Sequence, residues 1–192
     1  MEDIKTSITY FGSKGPKNTK KTLELAQERA EALGIGQILI ASHSGATGLK
    51  AAETFKNNKI IVVTHSTGFH EVGKQQLAQD TREKLEAMDN VKILTTTHAF
   101  GGVGRAVRIK LGTYQVDEVI AYALRTFSQG VKVCCELTIM ASDADLLDMS
   151  KEVIAIGGSG SGADTAMVLK PAHAQNYLDL KVLEIICKPR EG

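Results

Sequence analysis

Through the first 130 residues, short apolar runs alternate with stretches of helical periodicity, and this alternation limits the possible folds more than any other feature. The runs at 37–41, 59–64 and 91–96 are too brief for helices. They are rich in the β-branched residues that suit a strand buried on both faces, so they predict central parallel strands. The clearest helical stretch carries Val116, Val119, Ile120, Ala123, Leu124 and Phe127 on one apolar stripe and is expected to end at Gly130. A second is expected to be capped by Asn18, to bury Leu23, Ala26 and Ala30, and to stop at Gly34. Leu77, Thr81, Leu85 and Met88 mark a third, and residues 46–55 a shorter fourth.

From residue 131 the pattern changes to strand after strand, at 131–140, 152–156, 165–170 and 181–187. The expected fold is therefore α/β. A three-layer α/β/α sandwich would surround a mainly parallel open sheet, with antiparallel strands added in the C-terminal third. At 192 residues, with no linker rich in Pro or Ser, the chain reads as a single domain over residues 1–192.

Composition removes several function classes. Lys and Arg number 23 against 22 Asp and Glu, a net charge of +1, so no overall field draws the molecule to nucleic acid or anionic lipid. Any anion must be held locally. Residues 1–11 carry Glu2, Asp3 and Lys5 and no apolar leader core, and no later run is long enough to span a membrane, which gives a cytoplasmic expectation. Cys134, Cys135 and Cys187 show neither disulfide nor zinc spacing, and the first two are expected to be packing residues on opposite faces of a strand.

Two loops offer chemistry. Ser42, His43, Ser44, Gly45, Ala46 and Thr47 leave a predicted strand and enter a predicted helix, where converging amides, hydroxyls and the helix dipole favour a phosphate. The plainer alternative is a tight turn whose serines cap the helix. Gly158, Ser159, Gly160, Ser161 and Gly162 belong to a run with four glycines in six residues, a density that suits close backbone approach to a ligand or a flexible hairpin.

Further candidates lie nearby. Gly102, Gly104, Arg105 and Arg108 follow the third predicted strand and form a possible second anion-binding wall. Phe11, Gly12, Gly15, Asn18 and Thr19 form another small-residue loop opening a helix. His43, His65 and His98, with Thr67 beside them, are expected at one rim of the sheet. Their hydroxyl-bearing neighbours argue for hydrogen bonding to a ligand, and no metal is expected. His70, His173, Asp143, Asp145 and Asp148 read as solvated. Glu136, in an apolar run, is expected to be buried beside a partner such as an arginine, or to touch the ligand, with Met140 facing a ring.

Residues 37–64, QILIASHSGATGLKAAETFKNNKIIVVT, resemble the strand, SGxS/T turn, helix and strand of the pyruvate kinase C-terminal α/β domain, and GSGADTAM at 160–167 is similar to that domain's GSGxTNTM stretch. In the kinases these loops meet around a phosphorylated effector. The resemblance therefore implies a phosphate site at Ser42, Ser44, Gly45 and Thr47 facing residues 159–162. The chain departs from the kinases at Ala46, Gly157 and Gly158, where basic or aromatic residues are usual, so fructose bisphosphate is not expected.

Residues 97–148 look like the small stand-alone proteins of this domain family, which implies flavin mononucleotide (FMN) as the guest. A homo-oligomer is implied by the role of the domain in kinase assembly. With no room for a catalytic barrel, kinase activity is not expected. The functional expectation is binding of a phosphate-bearing small molecule, the alternative being a flavin-dependent oxidoreductase or an enzyme acting on a phosphorylated sugar.

Overall fold

The computed structural model describes residues 3–191. In chain order the elements are β1 (Thr9–Phe11), α1 (Thr19–Leu33), β2 (Gln37–Ala41), α2 (Ala46–Thr54), β3 (Lys59–Val63), α3 (Gln79–Glu86), β4 (Val91–Leu94), α4 (Val103–Leu111), α5 (Val116–Arg125), α6 (Gln129–Asp143), β5 (Val153–Gly157), β6 (Thr165–Lys170) and β7 (Lys181–Pro189). Short 3-10 turns stand at Pro16–Asn18 and Ala174–Asp179.

All seven strands form one sheet in the order β1-β7-β6-β5-β2-β3-β4. The fold is the expected α/β class, with β5, β2, β3 and β4 mutually parallel. Only β6 runs against its neighbours, pairing antiparallel with both β5 and β7, and β1 is again parallel to β7. The reversed strand thus lies inside the sheet, where both its edges are paired.

The direction of travel across the sheet sorts the helices. From β1 through β4 the chain steps one way, so right-handed crossovers put α1, α2 and α3 on one face, over Ile38, Ile40, Ile60 and Ile156. Return to β5 reverses that step. Helices α5 and α6 therefore cover the other face, against Leu39, Ile61, Val63 and Ala155. Ile38, Ile40, Ile60, Ile154 and Ile156 are fully buried, and each contributes about 1.5–3 kcal/mol of hydrophobic stabilisation.

The largest departure from expectation is residues 131–140, which belong to helix α6 and not to a strand. Residues 130–132 and 134–142 are all buried, so the helix has no polar face to reveal its period. The Ser128 hydroxyl caps it by accepting the Val131 amide at 3.1 Å, and Thr138 and Ser142 bond back to carbonyls one turn earlier. Cys134 and Cys135 are both buried on this helix rather than on two faces of a strand.

Gly130 does not end α5. It lies in the first turn of α6, where a Cβ would run into Thr165 of β6. The α5 stripe is also only partly inward: Ile120 and Leu124 pack on the core, whereas Val116, Val119 and Phe127 are exposed.

Asn18 closes a 3-10 turn and spends its side-chain amide on the Ser13 carbonyl at 2.7 Å, so it does not cap α1, although Gly34 ends that helix in the left-handed region as expected. Strand β1 and helix α4 were not foreseen. Among the described residues no helix is long and apolar enough to cross a membrane.

Candidate functional site

Helix α2 starts at the C-terminal end of β2 over one face of the sheet, and the start of α6 lies by the C-terminal end of β5 over the other, so a crevice opens between them beyond the strands' C-terminal ends. A cavity of about 560 Å³ occupies it.

Ser42, His43, Ser44, Ala46 and Thr47 line this cavity from the start of α2. The first amides of a helix have no partner within it, so they and the helix dipole offer a site for negative charge. The buried Ser42 hydroxyl accepts the Gly48 amide at 3.1 Å and so serves its own helix. Gly45 is not in the lining. It makes the turn at φ 86°, where a Cβ would lie 2.7 Å from Leu77.

Gly158, Gly160, Ser161 and Gly162 face the α2 loop across the same cavity. Gly160 and Gly162 adopt φ of 97° and 68°, and a Cβ on Gly162 would come within 2.5 Å of Pro16 and Thr19. Ser159 is not in the lining; its amide is bonded to Asp164 and, among the described residues, its buried hydroxyl has no partner.

The glycine loop is tied to the start of α1. Fully buried Asp164 accepts the Gly15 amide at 2.8 Å, the Ser159 amide at 3.2 Å and the Thr165 hydroxyl at 3.0 Å. The Thr19 hydroxyl accepts the Ala163 amide at 3.0 Å. These bonds bring Pro16 and Thr19 into the lining.

The loop after β3 supplies His65, Phe69 and His70, and the segment after β4 supplies His98. The His65 ring centroid lies 4.2 Å from Phe69, 5.3 Å from His43 and 5.4 Å from His98. Among the described residues no three His, Cys, Asp or Glu side chains are grouped to hold a metal ion. Burial pulls the pKa of His65 below its ordinary value, and the neighbouring imidazoles add to this against the hydrogen bond that His65 Nδ1 donates to the Gln76 side-chain oxygen. Thr67 is exposed and outside the lining.

Helix α6 turns Lys132, Glu136 and Met140 inward, together with Gln129, Val133 and Leu137. Glu136 is buried as expected, but its partner is Lys132, one helical turn away, and not an arginine. Its other oxygen accepts the Phe100 amide at 3.0 Å, and His98 Nδ1 stands 3.6 Å off. Burial alone would raise its pKa, yet the His98 ring and the Lys132 ammonium together hold it down at about 2. Burial lowers the Lys132 pKa, partly offset by Glu136.

Arg105, on α4, enters the cavity with its guanidinium 4.9 Å from the Phe69 ring. Arg108 turns aside to Glu118 at 2.8 Å, and Gly102 and Gly104 lie outside the lining. Gly104 instead allows close approach of Asp117 on α5.

Lys50, Arg125 and Lys132 also line the cavity and were not foreseen; the four-residue spacing of Lys132 and Glu136 was the available signal, since it juxtaposes charges only on a helix. Lys50, Arg105, Arg125 and Lys132 thus face a single carboxylate, Glu136, in a chain whose net charge is only +1. The arrangement suits an anion.

The family described as "Pyruvate kinase, alpha/beta domain" matches residues 20–169. Among solved structures, a pyruvate kinase from Cryptosporidium parvum is 14% identical over 80% of this chain and 23% of its own, with a TM-score of 0.43. A second structure of the Cryptosporidium parvum enzyme is 15% identical over 83% and 24%, with a TM-score of 0.42. A third, in complex with ADP, is 14% identical over 78% and 22%, with a TM-score of 0.41. This chain spans about a quarter of the length of those kinases. On the family match, which covers well over half of its residues, the chain belongs to the pyruvate kinase alpha/beta domain family.

Proposed function

We propose that the cavity binds a phosphate-bearing small molecule, as a binding protein without kinase activity, and that FMN is the best candidate for that molecule. One observation carries the reading: Ser42, His43, Ser44, Ala46 and Thr47 line one cavity with Gly158, Gly160, Ser161 and Gly162, more than a hundred positions away, and that cavity holds four cations against one carboxylate. The phosphate would rest on Ser44, the first amides of α2 and the glycine loop, where amides and the dipole act together.

FMN passes a test of fit. The volume falls within the roughly 300–1,000 Å³ of small-molecule sites. Phe69, Val133, Leu137 and Met140 supply apolar contact for a ring beside the polar loops. When bound, FMN would supply two-electron redox chemistry; the residues of this chain bind it, orient it and limit its contact with water.

We place this activity in the cytoplasm. A homo-oligomer is part of the reading, because α4, α5 and the turn after α5 expose Val103, Ile109, Leu111, Val119 and Phe127.

The test is native mass spectrometry of freshly purified protein, followed by titration with FMN and with riboflavin. The expected result is a retained or readily bound FMN and much weaker binding of riboflavin, which lacks the phosphate. Equal affinity for the two would remove the phosphate site, and no uptake of either would remove the flavin.

A further inference from the structure

Beyond His65, on the side away from His43, the cavity wall changes character, and its hydrogen bonds do not balance. Among the described residues, Arg105 Nε and His98 Nε2 are both buried without a partner. Lys132 gives one proton to Glu136 and, among the described residues, bonds to nothing else. Glu136 is the lone carboxylate there, and each of its oxygens already receives a donor, from Lys132 and from the Phe100 amide.

The donors form a single wall. Phe69 stacks on His98 with ring centroids 4.9 Å apart and an interplanar angle of 24°, and the same ring carries the Arg105 guanidinium at 4.9 Å. Buried donors without acceptors are unfavourable, and a charged donor more so. Arg105 and Lys132 can only donate, and the unpartnered His98 Nε2 donates or accepts according to its tautomer, so the wall favours a group rich in acceptor oxygens.

We propose that Arg105, His98 and Lys132 form a second subsite of the cavity, which takes a group rich in acceptor oxygens, such as a carboxylate or the edge of a dioxo ring. The ligand is then two-ended, with phosphate on the glycine loops and acceptor oxygens against this wall. The inference rests on the proposed phosphate site for the identity of the first end, but not for its own test.

That test is nuclear magnetic resonance of isotope-labelled full-length protein, following the Arg105 Nε–H and His98 ring signals together with the Ser44 and Gly162 amides. Oxalate, an acceptor-only dianion, is expected to move the first pair, inorganic phosphate the second, and a complete ligand all four.

FMN and 3-phosphoglycerate separate the two sources of acceptor: the first moving all four signals assigns ring carbonyls, the second a carboxylate. Should Arg105 and His98 ignore oxalate, FMN and 3-phosphoglycerate alike, the subsite is wrong even if Gly162 responds to phosphate. Should they respond while Gly162 and Ser44 remain still with phosphate and FMN, the subsite stands and the phosphate reading falls.

Arg105→Met, at a partly exposed position, is expected to weaken oxalate roughly tenfold through loss of a charged donor and to weaken phosphate far less. Unchanged oxalate binding, or equal loss of both anions, would overturn the assignment.

Discussion

The carboxylate of Asp164 accepts the backbone amide of Gly15 at 2.8 Å across 149 positions of the chain, deep enough that Asp164 has no solvent exposure. Through this contact the glycine loop and the start of α1 form one rigid wall. Asp164→Ala would strand the Gly15 and Ser159 amides and the Thr165 hydroxyl, and we expect it to destabilise the fold by about 3 kcal/mol. Urea unfolding measures this; a change below about 0.5 kcal/mol, the size of an ordinary surface effect, would contradict it.

Gly160 and Gly162 separate backbone strain from contact. Both have positive φ, but nothing lies within 4 Å of a Cβ on Gly160, whereas one on Gly162 meets Pro16 and Thr19. Gly160→Ala is expected to cost about 1 kcal/mol and to retain most phosphate binding. Gly162→Ala is expected to cost at least about twice that and to abolish the phosphate response, because the loop must leave α1. Calorimetry with and without phosphate reports both, and indistinguishable variants would refute the distinction.

Acid should weaken the fold through Glu136. Its folded pKa, about 2, lies below the ordinary value of 4.5, so its contribution is complete above about pH 4.5 and is lost as pH falls toward 2. A shift of that size is of the order of 3 kcal/mol. Glu136→Gln leaves the Lys132 ammonium buried without a counter-charge, and is expected to cost about 3–5 kcal/mol at neutral pH and to flatten the acid limb of stability against pH. Replacing both residues, Lys132→Met with Glu136→Leu, should recover most of that loss. A double variant no better than Glu136→Gln would show that the pair is not acting as a unit.

The three thiols should be inert in the folded protein. Cys134, Cys135 and Cys187 are all buried, and burial pushes the Cys135 and Cys187 thiols up to about 12. A disulfide reagent at pH 8 is expected to label none of them before unfolding and all three after it. Fast labelling of Cys134 or Cys135 in the native protein would contradict the packing of α6 on the sheet, and of Cys187 the burial of β7.

How much the residues disclosed varies by element. The strands at Gln37–Ala41 and Thr165–Lys170 match their predicted limits, because a short β-branched run between turn residues has few other uses. That the loops at 42–47 and 158–162 face one another was implied by the resemblance of both to the kinase domain, because the strand pattern alone left the direction of the strand at 152–156 open. Helix α6 was hidden by its own burial: with core on almost every side, its residues show no polar period, and Val131, Val133, Thr138 and Ile139 imitate a strand. Lys132 and Arg125 were therefore not seen as lining residues.

Taken alone, the chain determined its layered α/β architecture and the positions of its small-residue turns, because both follow from local periodicity and from backbone freedom. Tertiary structure decided which charges share the cavity. Whether Arg105 faces inward while Arg108 turns to Glu118, and whether Glu136 meets a lysine or an arginine, depends on how α4, α5 and α6 pack over the returning crossover. Lys132 and Glu136 are one helical turn apart, but the packing that sets them beside His98 and Arg105 joins residues distant in sequence, and no local pattern encodes it.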